Sequence, residues 1–240
     1  MRVYNVRTPS RIVAQRGLSV VEFMVGVTVG LFIVAGASTV LVNTVTNNRK
    51  MLVETRVNQD LRAAADIVAR DLRRAGYWVN ATSGVWSAGA VSVTANAYSA
   101  FGTNDASSVT YAYARDATDT VESNEKVGFR LASVGGVGVL QVQDGLDNWT
   151  QLTDPTTLNI TAFSVTPTAQ TRELAKYCNC TKTLTCTEAS VLALSTRPQL
   201  TIRQFAFVLT GQSIADSNVQ RTINETVRVR NDQLTGTCPA

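Results

Sequence analysis

Between Phe23 and Thr46 the chain runs for 24 residues without a charge, and one carboxylate, Glu22, stands at the head of that run. About 20 apolar residues suffice to cross a bilayer as a helix. An ionised acid placed in lipid costs on the order of 2.5–3.5 kcal/mol even on the lenient insertion scale. A plain anchor has no use for such a group. The acid therefore points to a partner charge met later, when the segment leaves lipid and packs against copies or relatives of itself. An ordinary signal anchor carrying an incidental Glu is the competing reading.

The residues ahead of the run sharpen this. Met1–Gly17 carries Arg2, Arg7, Arg11 and Arg16, with no acid and no apolar stretch. A secretory signal places its apolar core before the cleavage point. Here the apolar core follows Gly17, so ordinary signal-peptidase processing does not fit. The four arginines, set against Arg49 and Lys50 beyond the span, hold the N-terminal side in the cytoplasm. The remainder of the chain is then expected across the membrane.

Gly17-Leu18-Ser19-Val20-Val21-Glu22 resembles the prepilin processing site of type IV pilins and type II secretion pseudopilins. The resemblance implies cleavage between Gly17 and Leu18 by a dedicated prepilin peptidase, which also methylates the new amine of Leu18. It makes Glu22 the fifth mature residue, paired during assembly with the N-terminal amine of a neighbouring subunit. The family commonly begins with Phe where this chain has Leu18. The partners implied are other minor pilins and the major pilin, the prepilin peptidase/methyltransferase, the inner-membrane assembly platform, and the lipid bilayer before assembly. The implied location is a single pass of the inner membrane with the C-terminal domain periplasmic, then the fibre at the cell surface.

Past Arg49 the helical period persists but becomes amphipathic. Val53, Val57, Leu61, Ala64, Val68, Leu72 and Ala75 fall at three- and four-residue steps, with Arg56, Asp60, Arg62, Asp66, Arg70 and Arg73 between them. Gly76 is the expected cap. One helix from about Ser19 to Ala75 is predicted, roughly 85 Å at 1.5 Å per residue. Gly26, Gly30 and Gly36 weaken its first half by roughly 1 kcal/mol each relative to Ala. Close helix packing, local melting and the ordinary frequency of Gly in membrane helices all remain open as explanations. Asp71-Leu-Arg-Arg-Ala-Gly-Tyr77 and Thr226-Val-Arg-Val-Arg-Asn231 resemble the helix end and the last strand of minor pilins of the PilW type, which are related to the type II secretion pseudopilin GspJ.

The rest of the chain reads as β structure. Val109, Tyr111 and Tyr113 alternate with smaller residues. Lys126–Ala132 and Val137–Gln143 bracket Gly135-Gly136, which reads as a hairpin turn rather than a phosphate cradle. Leu158–Val165 follows Pro155, Gln199–Leu209 sets Phe205, Phe207 and Leu209 on one face, and Glu225–Arg230 alternates Val227 and Val229 with Arg228 and Arg230. Period-two alternation with one polar face fits an antiparallel sheet covered on one side by the helix. The fold class expected is therefore α+β and pilin-like. Its parts are a leader at 1–17, an apolar membrane and assembly helix at 18–48, an amphipathic helix at 49–76 and a β-rich extracytoplasmic domain at 77–240. The polar stretches Gly84–Asp105 and Asp116–Glu125 are expected to be loops.

Composition excludes several functions. The formal charge of +4 equals the four leader arginines, so the remainder is neutral and no basic face argues for nucleic acid. Histidine is absent, which removes the Ser-His-Asp triad, the Cys-His pair and every His-containing zinc site. Asp144, Asp147 and Asp154 have no spacing that argues for a catalytic pair. No catalytic residue, cofactor or metal is expected, and the chain reads as a non-enzymatic subunit. A binding module that uses the loops Gly84–Asp105 and Tyr177–Cys186 is a more distant reading.

The four cysteines, Cys178, Cys180, Cys186 and Cys238, form an even set in what should be an oxidising compartment. Disulfides are expected, with a Cys-only zinc site as the competitor. Three pairings exist, and Cys178–Cys180 would close a very tight ring. Cys180–Cys186 closing a small loop, with Cys178–Cys238 tying down the C-terminal end, is the pairing expected.

Overall fold

The computed structural model describes residues 17, 19–86, 93–102, 106–178, 188–193 and 196–238. The chain comprises two units, Met1–Lys50 and Met51–Ala240. Helix α1 (Val20–Leu72) runs for 53 residues without a break. It is helical through Gly26, Gly30 and Gly36, and a Cβ added at any of the three would meet nothing within 4 Å.

Within the second unit α1 is amphipathic. Val57, Leu61, Ala64, Ala65, Val68, Ala69 and Leu72 are buried, the stripe expected of a helix lying on a core. Several partners close its C-terminal end. The Ala75 N–H bonds the Leu72 carbonyl at 3.2 Å, tightening the last turn, and the Arg230 N–H takes the Arg73 carbonyl at 3.1 Å. Asn231 Nδ2 takes the carbonyl of Ala75 and Asn96 Nδ2 that of Gly76. Gly76 itself adopts φ +71°, the left-handed position that favours glycine after a helix. A helix end buried without such partners is rare. Here the partners from outside the helix come from two distant segments, Asn96 and Arg230–Asn231, so the helix end ties both to the domain.

The strands form two antiparallel sheets rather than the single sheet expected. The first has five strands in the order β1 (Phe101–Gly102), β2 (Ser108–Ala112), β3 (Lys126–Val134), β4 (Val137–Asp144) and β5 (Trp149–Gln151). The β3–β4 turn is the predicted glycine hairpin, with Gly135 at φ +59° and Gly136 at φ +84° between the paired Val134 and Val137. Two positive φ angles in a two-residue loop match the twist of the strands. The second sheet is β6 (Leu158–Glu173), β7 (Gln199–Ser213) and β8 (Gln220–Arg228), with β9 (Gln233–Thr235) paired to the start of β7. The Thr226–Asn231 segment is thus not the last strand, since β9 follows it. A short helix, α2 (Glu188–Leu192), lies between β6 and β7.

A single large core joins α1 to both sheets. Val109, Tyr111, Val127, Phe129 and Leu140 supply the first sheet's share, and Leu158, Ile160, Phe163, Phe205, Phe207, Leu209 and Val227 supply the second's. The sheets come close at Gly138, where an added Cβ would collide with the Ile160 carbonyl, and the Gly138 N–H donates to Asn159 Oδ1 at 2.8 Å. The helix is also latched to the first sheet by polar groups. The buried Tyr111 hydroxyl donates to Asp71 at 2.6 Å, and Asp71 pairs with Arg74 at 3.5 Å. Arg74 in turn lies 4.2 Å over the Tyr113 ring. Burial, reinforced by Asp71, pushes the Tyr111 phenol well above its ordinary value, which keeps it a neutral donor.

Candidate functional site in the apolar helix

The junction singled out by sequence has Gly17 exposed, while Leu18 lies outside the described residues, as do Arg2, Arg7, Arg11 and Arg16. Ser19 is the residue ahead of α1, and its carbonyl accepts the Phe23 N–H at 3.0 Å. Ser19 is therefore the N-cap and Glu22 the third helical residue, which places Ser-x-x-Glu in the capping-box register. That pattern is legible in the sequence. It gives the acid a local task as well, because a carboxylate in the first turn also complements the positive end of the helix dipole. Glu22 is exposed, so the group is accessible to another chain.

From Val20 to Lys50 every residue is exposed except the half-buried Gly30. The large apolar side chains stand bare, Phe32 at 75% and Leu41 at 65% exposure among them. A soluble protein does not leave so long an apolar surface uncovered. The hydroxyl groups inside the span are satisfied within the helix. All five hydroxyls between Val20 and Lys50 bond back to the preceding turn. Thr28 donates to the Met24 carbonyl and Ser38 to that of Val34, both at 2.7 Å. Thr39, Thr44 and Thr46 donate to Gly36, Val40 and Val42 at 2.8–2.9 Å. A hydroxyl satisfied on its own helix brings no unpaired donor into lipid. The helix is long and apolar enough to cross a membrane.

The cysteines give a second fixed point. A disulfide joins Cys178 to Cys238 across 60 residues, with Cα atoms 5.5 Å apart. It secures the segment after β9 to the end of the β6 extension, where Cys178 packs beside Ala175 and Val191. Cys180 and Cys186 lie outside the described residues, as does most of the Tyr177–Cys186 loop. In the Gly84–Asp105 stretch, a one-turn helix at Ala97–Ser99 and strand β1 interrupt the expected loop. Asp144 pairs with Arg115 at 2.6 Å and Asp154 accepts from the Thr156 N–H at 2.8 Å. Among the described residues no group of three or more Cys, Asp or Glu is arranged to hold a metal ion.

Sequence reasoning also missed two buried charges that shape the domain. Glu125 accepts from the Tyr98 hydroxyl at 2.8 Å, the Arg115 N–H at 2.8 Å and the Glu122 N–H at 2.9 Å. Arg203, in β7, donates to the carbonyls of Ser99 at 2.7 Å and Asn231 at 2.9 Å and lies 4.4 Å over the Phe101 ring. Glu122 and Glu125 stand at capping-box spacing, but the Tyr98 hydroxyl that buries Glu125 and both carbonyls that hold Arg203 come from segments distant in the chain.

A family model described as prepilin peptidase-dependent protein B matches residues 50–229. No curated protein and no solved structure matches the chain. The matched range begins after the apolar run, so it is independent of the Gly17–Glu22 junction.

Proposed function

The match covers three quarters of the 240 residues, so the chain belongs to the prepilin peptidase-dependent protein B family, and from that premise we propose that it is a non-enzymatic minor pilin of the PilW kind. It is made as a membrane-held precursor. Prepilin peptidase cuts between Gly17 and Leu18 and methylates Leu18. The helix of residues 18–48 then leaves the bilayer and enters a bundle of homologous helices formed by other minor pilins and the major pilin at an assembly platform. There Glu22 is neutralised by a neighbour's N-terminal amine. The subunit primes pilus assembly and stays near the tip.

The observation that carries this reading is the bare apolar stretch of α1 headed by an exposed Glu22. Lipid satisfies the apolar surface but not the acid, whereas a bundle of like helices satisfies both. The test is Glu22→Ala in the native host. Cleavage of the precursor is expected to persist while incorporation into the fibre and piliation fall. Normal piliation with normal incorporation of the variant would remove the assembly role from Glu22.

The type II secretion pseudopilin is the second reading, supported by the same junction and by the resemblance of the helix end to GspJ-type chains. Deletion of the gene separates the two. Lost surface fibres with intact secretion support the pilus, and the reverse supports the secretion piston.

A further inference from the structure

The outer face of the five-stranded sheet, turned away from the shared core, carries a cleft of about 500 Å³. That size falls within the ordinary range for small-molecule sites. Its floor is set by strand register. Gly102 and Thr110 are paired across β1 and β2, Thr110 and Gly128 across β2 and β3, Gly128 and Gln143 across β3 and β4, and Gln143 and Trp149 across β4 and β5. Residues paired in this way share a face, so one row crosses the sheet and holds glycine at two of its positions. A Cβ at Gly128 would come within 3.1 Å of both Gln143 Oε1 and the Thr110 methyl group. The glycine keeps the floor hollow.

The chemistry of the lining is unfinished. Ser108 and Gln143 both line the cleft, both are more than nine-tenths buried, and Ser108 Oγ and Gln143 Oε1 have no hydrogen-bond partner among the described residues. Buried polar atoms are ordinarily paired, and each exception asks for a reason. Two cations flank Gly128 on β3. Lys126 and Arg130 line the cleft and are half-buried, and neither is paired with an acid among the described residues. Arg130 is held in place, with Nε donating to Gln141 Oε1 at 2.8 Å and the guanidinium 4.2 Å over the Trp149 ring. Leu146, 53% exposed, and Trp149 give one wall an apolar surface, and Asp147 stands beside them.

We propose that this cleft binds a short acidic oligosaccharide, with sugar carboxylates on Lys126 and Arg130 and sugar hydroxyls on Ser108 and Gln143. The spacing selects an extended ligand. Positions 126 and 130 are about 13 Å apart along a strand at 3.3 Å per residue, and Arg130 is held over Trp149, so the two cations offer separate contacts along an extended ligand. The position closes off one peptide mode, strand addition, because the cleft lies on a sheet face and main-chain pairing needs an edge. Leu146 and Trp149 offer the apolar contact that a sugar ring face uses. The inference goes beyond the assembly role and does not depend on it.

The test is calorimetric titration of the full chain in detergent micelles with a galacturonate trimer, a neutral glucose trimer and a glutamate trimer. The acidic sugar is expected to bind at least tenfold more tightly than either comparison ligand. Lys126→Gln and Trp149→Ala should each weaken it tenfold or more, while Lys176→Gln, away from the cleft, leaves it unchanged. Each variant's thermal melt is recorded alongside. The Lys126 amine has no ion-pair partner among the described residues, so that variant carries the test if Trp149→Ala does not fold. Absence of binding to the folded chain, equal binding of the neutral trimer, preference for the peptide, or indifference to Lys126→Gln each overturns the proposal.

Discussion

Glu125 is the clearest case of a single residue held by its surroundings. Its carboxylate is fully buried, yet three donors converge on it, and its own backbone N–H closes a one-turn helix onto the Glu122 carbonyl. Burial works to raise its pKa, but the N–H groups of Glu122 and Arg115 and the Tyr98 hydroxyl outweigh that and hold the carboxyl below its ordinary range. Burial and the same Glu125 contact push the Tyr98 phenol up, so Tyr98 remains a donor. A carboxyl lowered on folding contributes stability that is present above its unfolded value and is lost as pH falls through its folded one. The domain should therefore weaken as the pH drops through and below the normal Glu range. Glu125→Gln replaces an acceptor with a donor facing N–H groups, and should cost about 1–3 kcal/mol at neutral pH. It should also flatten part of the acid limb in denaturant melts recorded across pH. An unchanged acid limb would show that other carboxylates govern it.

At the scale of elements, α1 has two regimes that one substitution in each distinguishes. Leu61 is fully buried, with Cδ1 about 3.0 Å from where a Cβ on Gly211 of β7 would stand. Leu61→Ala should destabilise the domain by about 2.7–5 kcal/mol, the range for buried Leu truncations. Leu41→Ala, at a position 65% exposed, should leave the same denaturant midpoint unmoved. Equal effects would contradict the division between a packed and an unpacked half. Both regimes were legible in the sequence, because the three- and four-residue steps of Val57, Leu61, Ala64 and Val68 repeat without interruption. The strands were less so. In β6 the buried positions are Leu158 and Ile160 and then Phe163 and Val165, because a bulge between Ile160 and Ala162 reverses the phase. One extra residue moves every later side chain to the other face, and simple alternation does not reveal it. Strands β1, β5 and β9 are two or three residues long and carry too little pattern to be seen. Alternation also shows that a strand has one buried face without showing which sheet it joins, and for that reason two sheets read as one.

Across the whole molecule, long-range ties do what local pattern cannot. The Cys178–Cys238 disulfide closes 60 residues, and by chain entropy such a link contributes roughly 4 kcal/mol. Replacing both cysteines with serine should lower unfolding stability by up to that amount, and adding a reductant to the double variant should change nothing through this pair. A loss well under 1 kcal/mol would assign the bond a different role. The candidate site divides along the same line. The Gly17–Glu22 junction is contiguous, so its residue order suffices to read it. The sheet-face cleft draws on β2, β3, β4 and the residues around Trp149, which only the register brings together.

The central claim is that the chain is a processed, assembly-competent pilin-like subunit. Intact-mass and N-terminal analysis of the protein taken from its native membrane tests it most directly. The account predicts a chain beginning at methylated Leu18, with the cysteine hydrogens absent from the mass. A mature protein that still carries Met1–Gly17 would contradict it, leaving α1 as a simple membrane anchor and Glu22 as an acid in its first turn.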